Sequence, residues 1–212
     1  MSNHDHSPQF SIITAVHDQG TEIADNLPAL LTQQYEPGYE VIVVDESSTD
    51  DTEDVLKLQK QQYPQLYTTF LPKPNRNVTR RKLALTIGVK AAKNEWVIFS
   101  DIHAAPPSST WLSEIAETLD NRTEIQLGYF CKNDIRLQPF EEIEQARRYV
   151  RKTERTNADG HRGKHLKYIR GKYDFIVVRK DKAHDVLKLF EQTISFRRLL
   201  GLRLSVLYHN FR

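Results

Sequence analysis

The stretch Glu95-Trp96-Val97-Ile98-Phe99-Ser100-Asp101-Ile102-His103 decides how this chain is read. Trp96 to Phe99 are continuously apolar, as in a strand buried on both faces of a parallel sheet. The run then stops at an acid. Open α/β sheets gather ligands outside the carboxyl ends of their strands, so Asp101 stands where a ligand is expected. Asp101 and His103 lie one residue apart, and a carboxylate and an imidazole so spaced can share a divalent cation that holds a diphosphate. The nitrogen donor tilts the metal towards Mn2+ over the oxygen-seeking Mg2+. The plainer reading is a strand-end Asp capping its own loop beside a partly exposed His.

The same grammar repeats outward from this junction. Phe10 to Val16 reads as a first buried strand, and Glu40 to Val44 as a second that closes on Asp45. Leu66 to Leu71 reads as a third strand. Helices are expected over Thr21–Gln34, from a Ser48 or Thr49 cap to about Gln62, over Val78–Lys93, and from a Ser108 or Ser109 cap to Leu119. Strand and helix alternation with near-continuous Val/Ile strands predicts an α/β fold: a mostly parallel sheet with helices on both faces. Further on, Ile125–Phe130 and Phe175–Val178 read as strands, Phe140–Thr156 as a charged helix, Asn157–Gly163 as a loop and Asp181–Gln192 as a helix. Ile194 to Arg212 mixes Leu, Phe and Val with Arg197, Arg198, Arg203 and Arg212, which suits a basic amphipathic helix. The expected organisation is a disordered 1–9, one domain over 10–192, and the helical tail at 193–212.

Composition narrows the class. A chain of 212 residues can bury a sizeable single core. Hydrophobic and charged contents of 39% and 27% fit a soluble globular protein and argue against disorder. A net charge of +2 gives no ground for a nucleic-acid partner. Cys131 is the single cysteine, so no intrachain disulfide can form and a reducing compartment is favoured. MSNHDHSPQF lacks the basic-then-apolar pattern of a signal peptide, and no run reaches the roughly 18 apolar residues of a membrane span. The expected location is the cytoplasm, with peripheral contact to the inner face of the membrane through 194–212.

Two further motifs carry chemistry. In Val43-Val44-Asp45-Glu46-Ser47-Ser48-Thr49-Asp50-Asp51-Thr52, the strand-end Asp45 can accept from an imide N–H such as that of uracil. The Ser/Thr turn after it can meet a ribose or phosphate at a helix start. Its plainer reading is an N-capped helix whose acids suit the dipole. In Asn77-Val78-Thr79-Arg80-Arg81-Lys82, three cations open a helix, where the dipole disfavours them. They suit a diphosphate held nearby or, alternatively, a solvated basic face. Cys131 reads as a core thiol, and no Ser-His-Asp order, phosphate loop or zinc cluster is present.

In order and spacing these motifs resemble the family 2 glycosyltransferases, which have the GT-A fold. FSIITAVHDQGTEIADNLPALLTQQYEPGYEVIVVDESSTDDT is similar to that family's opening strand, helix and second strand. RRKLALTIGVKAAKNEWVIFSDIHAAPPSSTWL is similar to its helix, its metal-motif strand and the segment after it. The likeness is strongest over residues 10–120; later only RGKYDFIVVRKDKAHDVL shares it. The resemblance implies a UDP- or GDP-linked sugar donor, a divalent metal (Mn2+ or Mg2+) and a glycan or lipid-linked acceptor. It places Ala15, His17 and Asp18 beside the nucleotide, Asp45 on the base, Lys82 ahead of the metal strand and Asp101 as first acid of the metal motif. His103 replaces the second acid. The implied inverting mechanism needs a carboxylate base downstream. Asp185 and Glu191 lie at suitable distances, but neither sits in the family's acidic pair, so the catalytic base is unassigned.

The expected activity is transfer of a sugar in surface polysaccharide synthesis. A non-catalytic relative that binds a nucleotide or a partner is the alternative, motivated by His103 and the unassigned base. A membrane-surface adaptor using 194–212 is a third.

Overall fold

Seven strands and five helices alternate along the described part of the chain. They are β1 (Phe10–Val16), α1 (Gly20–Leu31), β2 (Tyr39–Asp45), α2 (Thr52–Gln62), β3 (Leu66–Phe70), α3 (Arg80–Ala91), β4 (Trp96–Ser100), α4 (Trp111–Thr118), β5 (Ile125–Cys131), β6 (Phe175–Arg179), α5 (Lys180–Leu189) and β7 (Leu204–Asn210). The computed structural model describes residues 7–72, 80–103, 105–106, 108–119, 123, 125–131, 175–189 and 204–210. The segments 140–156 and 157–163 read as helix and loop lie outside these residues.

The strands form one sheet in the order β3-β2-β1-β4-β6-β5-β7. Every neighbouring pair is parallel except β4 with β6 and β6 with β5, so β6 is the one strand running against the rest. The α/β, mostly parallel sheet is therefore as expected. The pleat sends alternate side chains to opposite faces. Ile13, Ile42, Val44, Val97 and Phe99 meet Leu85 and Val89 of α3 and Val186 and Leu187 of α5. Ile12, Val41, Val43 and Ile98 meet Leu27 of α1, Leu56 of α2 and Trp111 and Ile115 of α4. Burial on both faces explains the lack of polar alternation in β1, β2 and β4. Each such aliphatic side chain contributes about 1.5–3 kcal/mol when fully buried.

β1 pairs with β2 on one side and β4 on the other. The chain order reverses across β1, and this switch point opens a crevice at the carboxyl ends of β1, β2 and β4. That crevice holds Asp18, Asp45 and Asp101.

Three local expectations change. Helix α2 starts at Thr52, with Asp51 at its N-cap and no side-chain cap; Ser48 and Thr49 do not cap it. Their hydroxyls go instead to Asp45 and Asp18. The N-terminal tether reaches residues 8 and 9, since Tyr35 Oη donates to the Pro8 carbonyl and Trp96 N to the Gln9 carbonyl. In the tail, Leu204–Asn210 is a strand, not part of a helix, and pairs in parallel with β5 from Ile125↔Leu204 to Cys131↔Asn210. The free edge of β5 offers unpaired N–H and C=O groups that strand addition satisfies, whereas a short isolated helix is marginal in water. The amphipathic-helix basis of the membrane-adaptor reading is thereby lost over 204–210; residues 190–203, with Glu191, lie outside the described part. Among the described residues no helix is long and apolar enough to cross a membrane.

Candidate functional site

β2 delivers Asp45 to the crevice as its last residue, buried with 9% of its surface exposed. Its Oδ1 accepts from Ser48 N at 2.9 Å and Ser48 Oγ at 2.6 Å. The turn that permits this passes through Ser47 in the left-handed region, φ 61°, with the Ser47 hydroxyl donating to the Leu71 carbonyl. A second left-handed residue, Asp18 at φ 51°, lies in the loop just after β1. Asp18 Oδ1 accepts from Thr49 N at 2.6 Å, and Asp18 N donates to Ser48 Oγ at 2.9 Å. Thr49's N–H, with smaller help from His17, holds the Asp18 carboxyl below its ordinary range. Two strained turns are thus clamped to each other, as residues in sparsely populated backbone regions at functional sites often are.

The loop after β4 joins the same cluster. Asp101 Oδ1 accepts from His103 N at 3.2 Å, while Arg81 Nη2 donates to Oδ2 at 2.7 Å. His103 Nε2 lies 2.9 Å from Gln19 Nε2, and its Nδ1 lies 3.8 Å from Glu22 Oε1. His17 Nε2 stands 3.5 Å from Asp18 Oδ2. Asn26 Nδ2 donates to the Ile102 carbonyl at 2.8 Å, pinning this loop to α1. Ile102 itself is buried in the core, so the loop turns Asp101 and His103 outward around an apolar anchor.

α3 supplies the positive side. Arg80 donates to the Glu46 carbonyl and Arg81 to Asp101, so the first turn of α3 faces the ends of β2 and β4. Lys82 follows on the same helix, with its carbonyl accepting from Thr86 Oγ1. Glu46 is buried beside them. Burial raises its carboxyl above the ordinary value, against the opposing pull of Arg81 and Arg80. Arg80 and Arg81 are engaged, by the Glu46 carbonyl and the Asp101 carboxylate, while the Arg81 side chain stays 48% exposed.

Sequence reading placed Asp18, Asp45, Asp101, His103, His17 and Lys82 near one another, and each lies on an element bordering the crevice. Ala15 is different: its side chain packs into the core under α3. Asp185 sits on α5, which begins beside Glu95 at the opposite end of β4 from Asp101. Gln19, Glu22 and Phe70 carry no sequence signal for a site, because their relevance arises only from loops brought together by the sheet order.

A metal site can be tested on the donor set. Among the described residues no group of three His, Cys, Asp or Glu is placed to hold an ion. Asp101 and His103 give one carboxylate and one imidazole, both partly exposed at the crevice mouth. Two donors with open positions fit a cation that arrives with a diphosphate, whose oxygens complete the coordination. Beside Asp45 lies a cavity of about 370 Å³, bordered by Ser47, Ser48, Leu56, Thr68 and Phe70.

The chain's likeness to known proteins agrees with this layout. The family described as Glycosyl transferase family 2 matches residues 11–165. Among solved structures, S. aureus TarS 1-349 in complex with UDP-GlcNAc is 19% identical, covering 96% of this chain and 59% of that one, with a TM-score of 0.61. The mannosyltransferase PcManGT from Pyrobaculum calidifontis, in complex with GDP-Man and Mn2+, is 16% identical, covering 95% and 56%, at 0.62. M. tuberculosis glucosyl-3-phosphoglycerate synthase is 14% identical, covering 97% and 72%, at 0.56. At these identities the likeness is one of fold, and the chain spans little more than half the length of the first two. No curated protein matches it significantly.

Proposed function

This chain belongs to glycosyl transferase family 2, and from that premise we propose that it moves a sugar from a nucleotide-diphospho-sugar to a glycan or lipid-linked acceptor in surface polysaccharide synthesis. The observation that carries this reading is the meeting of Asp45, Asp101 and Arg81 at one switch-point crevice. TarS and PcManGT, which share the fold, hold UDP-GlcNAc and GDP-Man.

In this reading Asp45 accepts an N–H of the base and the Ser48–Thr49 turn borders the ribose. Arg81, Arg80 and Lys82 face the diphosphate, where charge-assisted hydrogen bonds to phosphate are strong. Asp101 and His103 would hold a divalent cation, Mn2+ before Mg2+, which when bound supplies positive charge against the departing nucleoside diphosphate. Arg81 orients Asp101 and adds a fixed charge on the same side. Transfer with inversion then needs a carboxylate on the acceptor side to take the hydroxyl proton. Cytoplasmic location, facing a membrane-bound acceptor, belongs to the same proposal.

Calorimetric titration of the full chain with UDP and with GDP, each with Mn2+, tests it. Micromolar binding of either, lost in Asp101→Ala, supports the proposal. Binding of neither, with Asp101→Ala indistinguishable from the parent, defeats it. A second reading follows from His103 at the second metal-motif position: a domain that binds the nucleotide without turnover. Donor hydrolysis or transfer that disappears in Asp101→Asn excludes that reading.

A further inference from the structure

Asp45 and Phe70 are register partners in the parallel pair β2·β3. The contact is fixed by Leu71 N donating to the Asp45 carbonyl at 2.7 Å. Paired residues of neighbouring strands present their side chains to the same face, with the strands about 4.8 Å apart. A carboxylate and an aromatic ring therefore stand side by side at the sheet's carboxyl edge, and both border the cavity of about 370 Å³. Phe70 is 70% exposed, the most exposed large apolar side chain among the described residues. A single exposed Phe is ordinary on a protein surface. One that walls a cavity beside a buried carboxylate offers a stacking face to a planar heterocycle with an N–H edge.

We propose that Asp45 and Phe70 form a base pocket that selects a uridine over a guanosine diphosphate donor. The inference rests on the donor reading above and adds the identity of the base. Its basis is the acceptor count at Asp45. A carboxylate oxygen carries about two lone-pair sites. Both sites of Oδ1 are taken, by Ser48 N and Ser48 Oγ. Oδ2 receives no hydrogen bond from a described residue. Among the described residues, Oδ2 is the oxygen left to a ligand. Uracil presents a single ring N–H flanked by carbonyls, which one acceptor satisfies. Guanine presents two adjacent donors, and pairing both in parallel takes both oxygens of a carboxylate. Here its second donor would enter a half-buried site without a partner. Thr68, on the same face as Phe70 and also lining the cavity, brings a hydroxyl that can donate to a uracil carbonyl.

The experiment is titration of the full chain with UDP and with GDP at the same Mn2+ concentration, on the parent, Phe70→Ala and Phe70→Tyr. UDP should bind at least about tenfold more tightly than GDP, because a donor left unpaired costs about a decade of affinity or more. Phe70→Ala should weaken UDP by about five- to a hundredfold, the range of aromatic–base stacking, and Phe70→Tyr should keep parental affinity. Thermal unfolding reports whether each variant is folded, and removal of so exposed a ring should leave it unchanged. GDP binding as tightly as UDP overturns the selection while the donor reading stands. UDP affinity within twofold of the parent in Phe70→Ala overturns the stacking role, as does an altered sedimentation coefficient with unaltered UDP affinity. Failure of both nucleotides to bind overturns the donor reading itself.

Discussion

Arg81 and Asp101, twenty residues apart in the chain, meet at 2.7 Å between Nη2 and Oδ2 where β4 ends. Their side chains are 48% and 35% exposed, and pairs this open contribute only about 0–1 kcal/mol to stability. The pairing matters more for position. It holds a permanent cation over the strand end whose acid is the candidate metal ligand, and among the described residues it leaves Asp101 one oxygen engaged only by the His103 N–H.

Arg81→Ala should accordingly separate folding from binding. Urea unfolding should change by no more than about 1 kcal/mol. UDP affinity should fall by about ten- to a hundredfold, the loss of a hydrogen bond between charged groups. Parental UDP affinity in this variant would remove Arg81 from the diphosphate side.

His103→Asp restores an oxygen ligand and a negative charge to the turn. Hard cations gain from both, so the variant should favour Mg2+ relative to Mn2+ by several-fold compared with the parent. The readout is UDP affinity measured with each metal in turn. An unchanged ratio means that His103 does not reach the ion.

Gly88→Ala probes how α3 is held against the sheet. A Cβ at Gly88 would stand 2.3 Å from Ile13 Cγ2, inside the core between α3 and β1. Helix propensity favours Ala by about 1 kcal/mol, but overpacking of this kind costs about 1–3 kcal/mol, so a net loss of stability is expected in urea. UDP affinity should fall as well, because α3 carries Arg80 and Arg81.

Glu46 and Asp18 should give opposite pH signatures. Burial raises the Glu46 carboxyl above 4.5, so the folded state binds its proton more readily than the unfolded state does. Its favourable contribution is complete below 4.5 and is lost as pH rises through the folded value. Glu46→Gln should flatten that fall, which urea titrations at pH 5 and 7 would show. Asp18 is held below 3.8 by the Thr49 N–H, so its contribution is present at neutral pH and lost as pH falls through the lowered value. Asp18→Asn should remove the acid-side loss and leave neutral behaviour above pH 5 little altered in slope.

Much of the fold was legible because burial on both faces writes itself into composition. β1, β2 and β4 are near-continuous apolar runs, and each stops at the crevice. Asp45 and Asp101 were legible for the same reason, an acid directly after such a run. The capping of α2 was misread because Ser48 and Thr49 obey a local preference that two carboxylates outbid. Over Leu204–Asn210 the expected helix gives way to a strand because a short mixed apolar and polar segment suits either pattern, and the neighbouring edge of β5 decides between them.

The sequence by itself determined where apolar strands begin and end, and hence that acids stand at the carboxyl ends of β2 and β4. Only the tertiary structure decided their partners. Arg81 meets Asp101, Gln19 meets His103, Phe70 sits beside Asp45 and β7 joins β5. The physical reason is range: periodicity and capping act over a few residues, whereas these pairings follow from strand order and register, which join residues many positions apart.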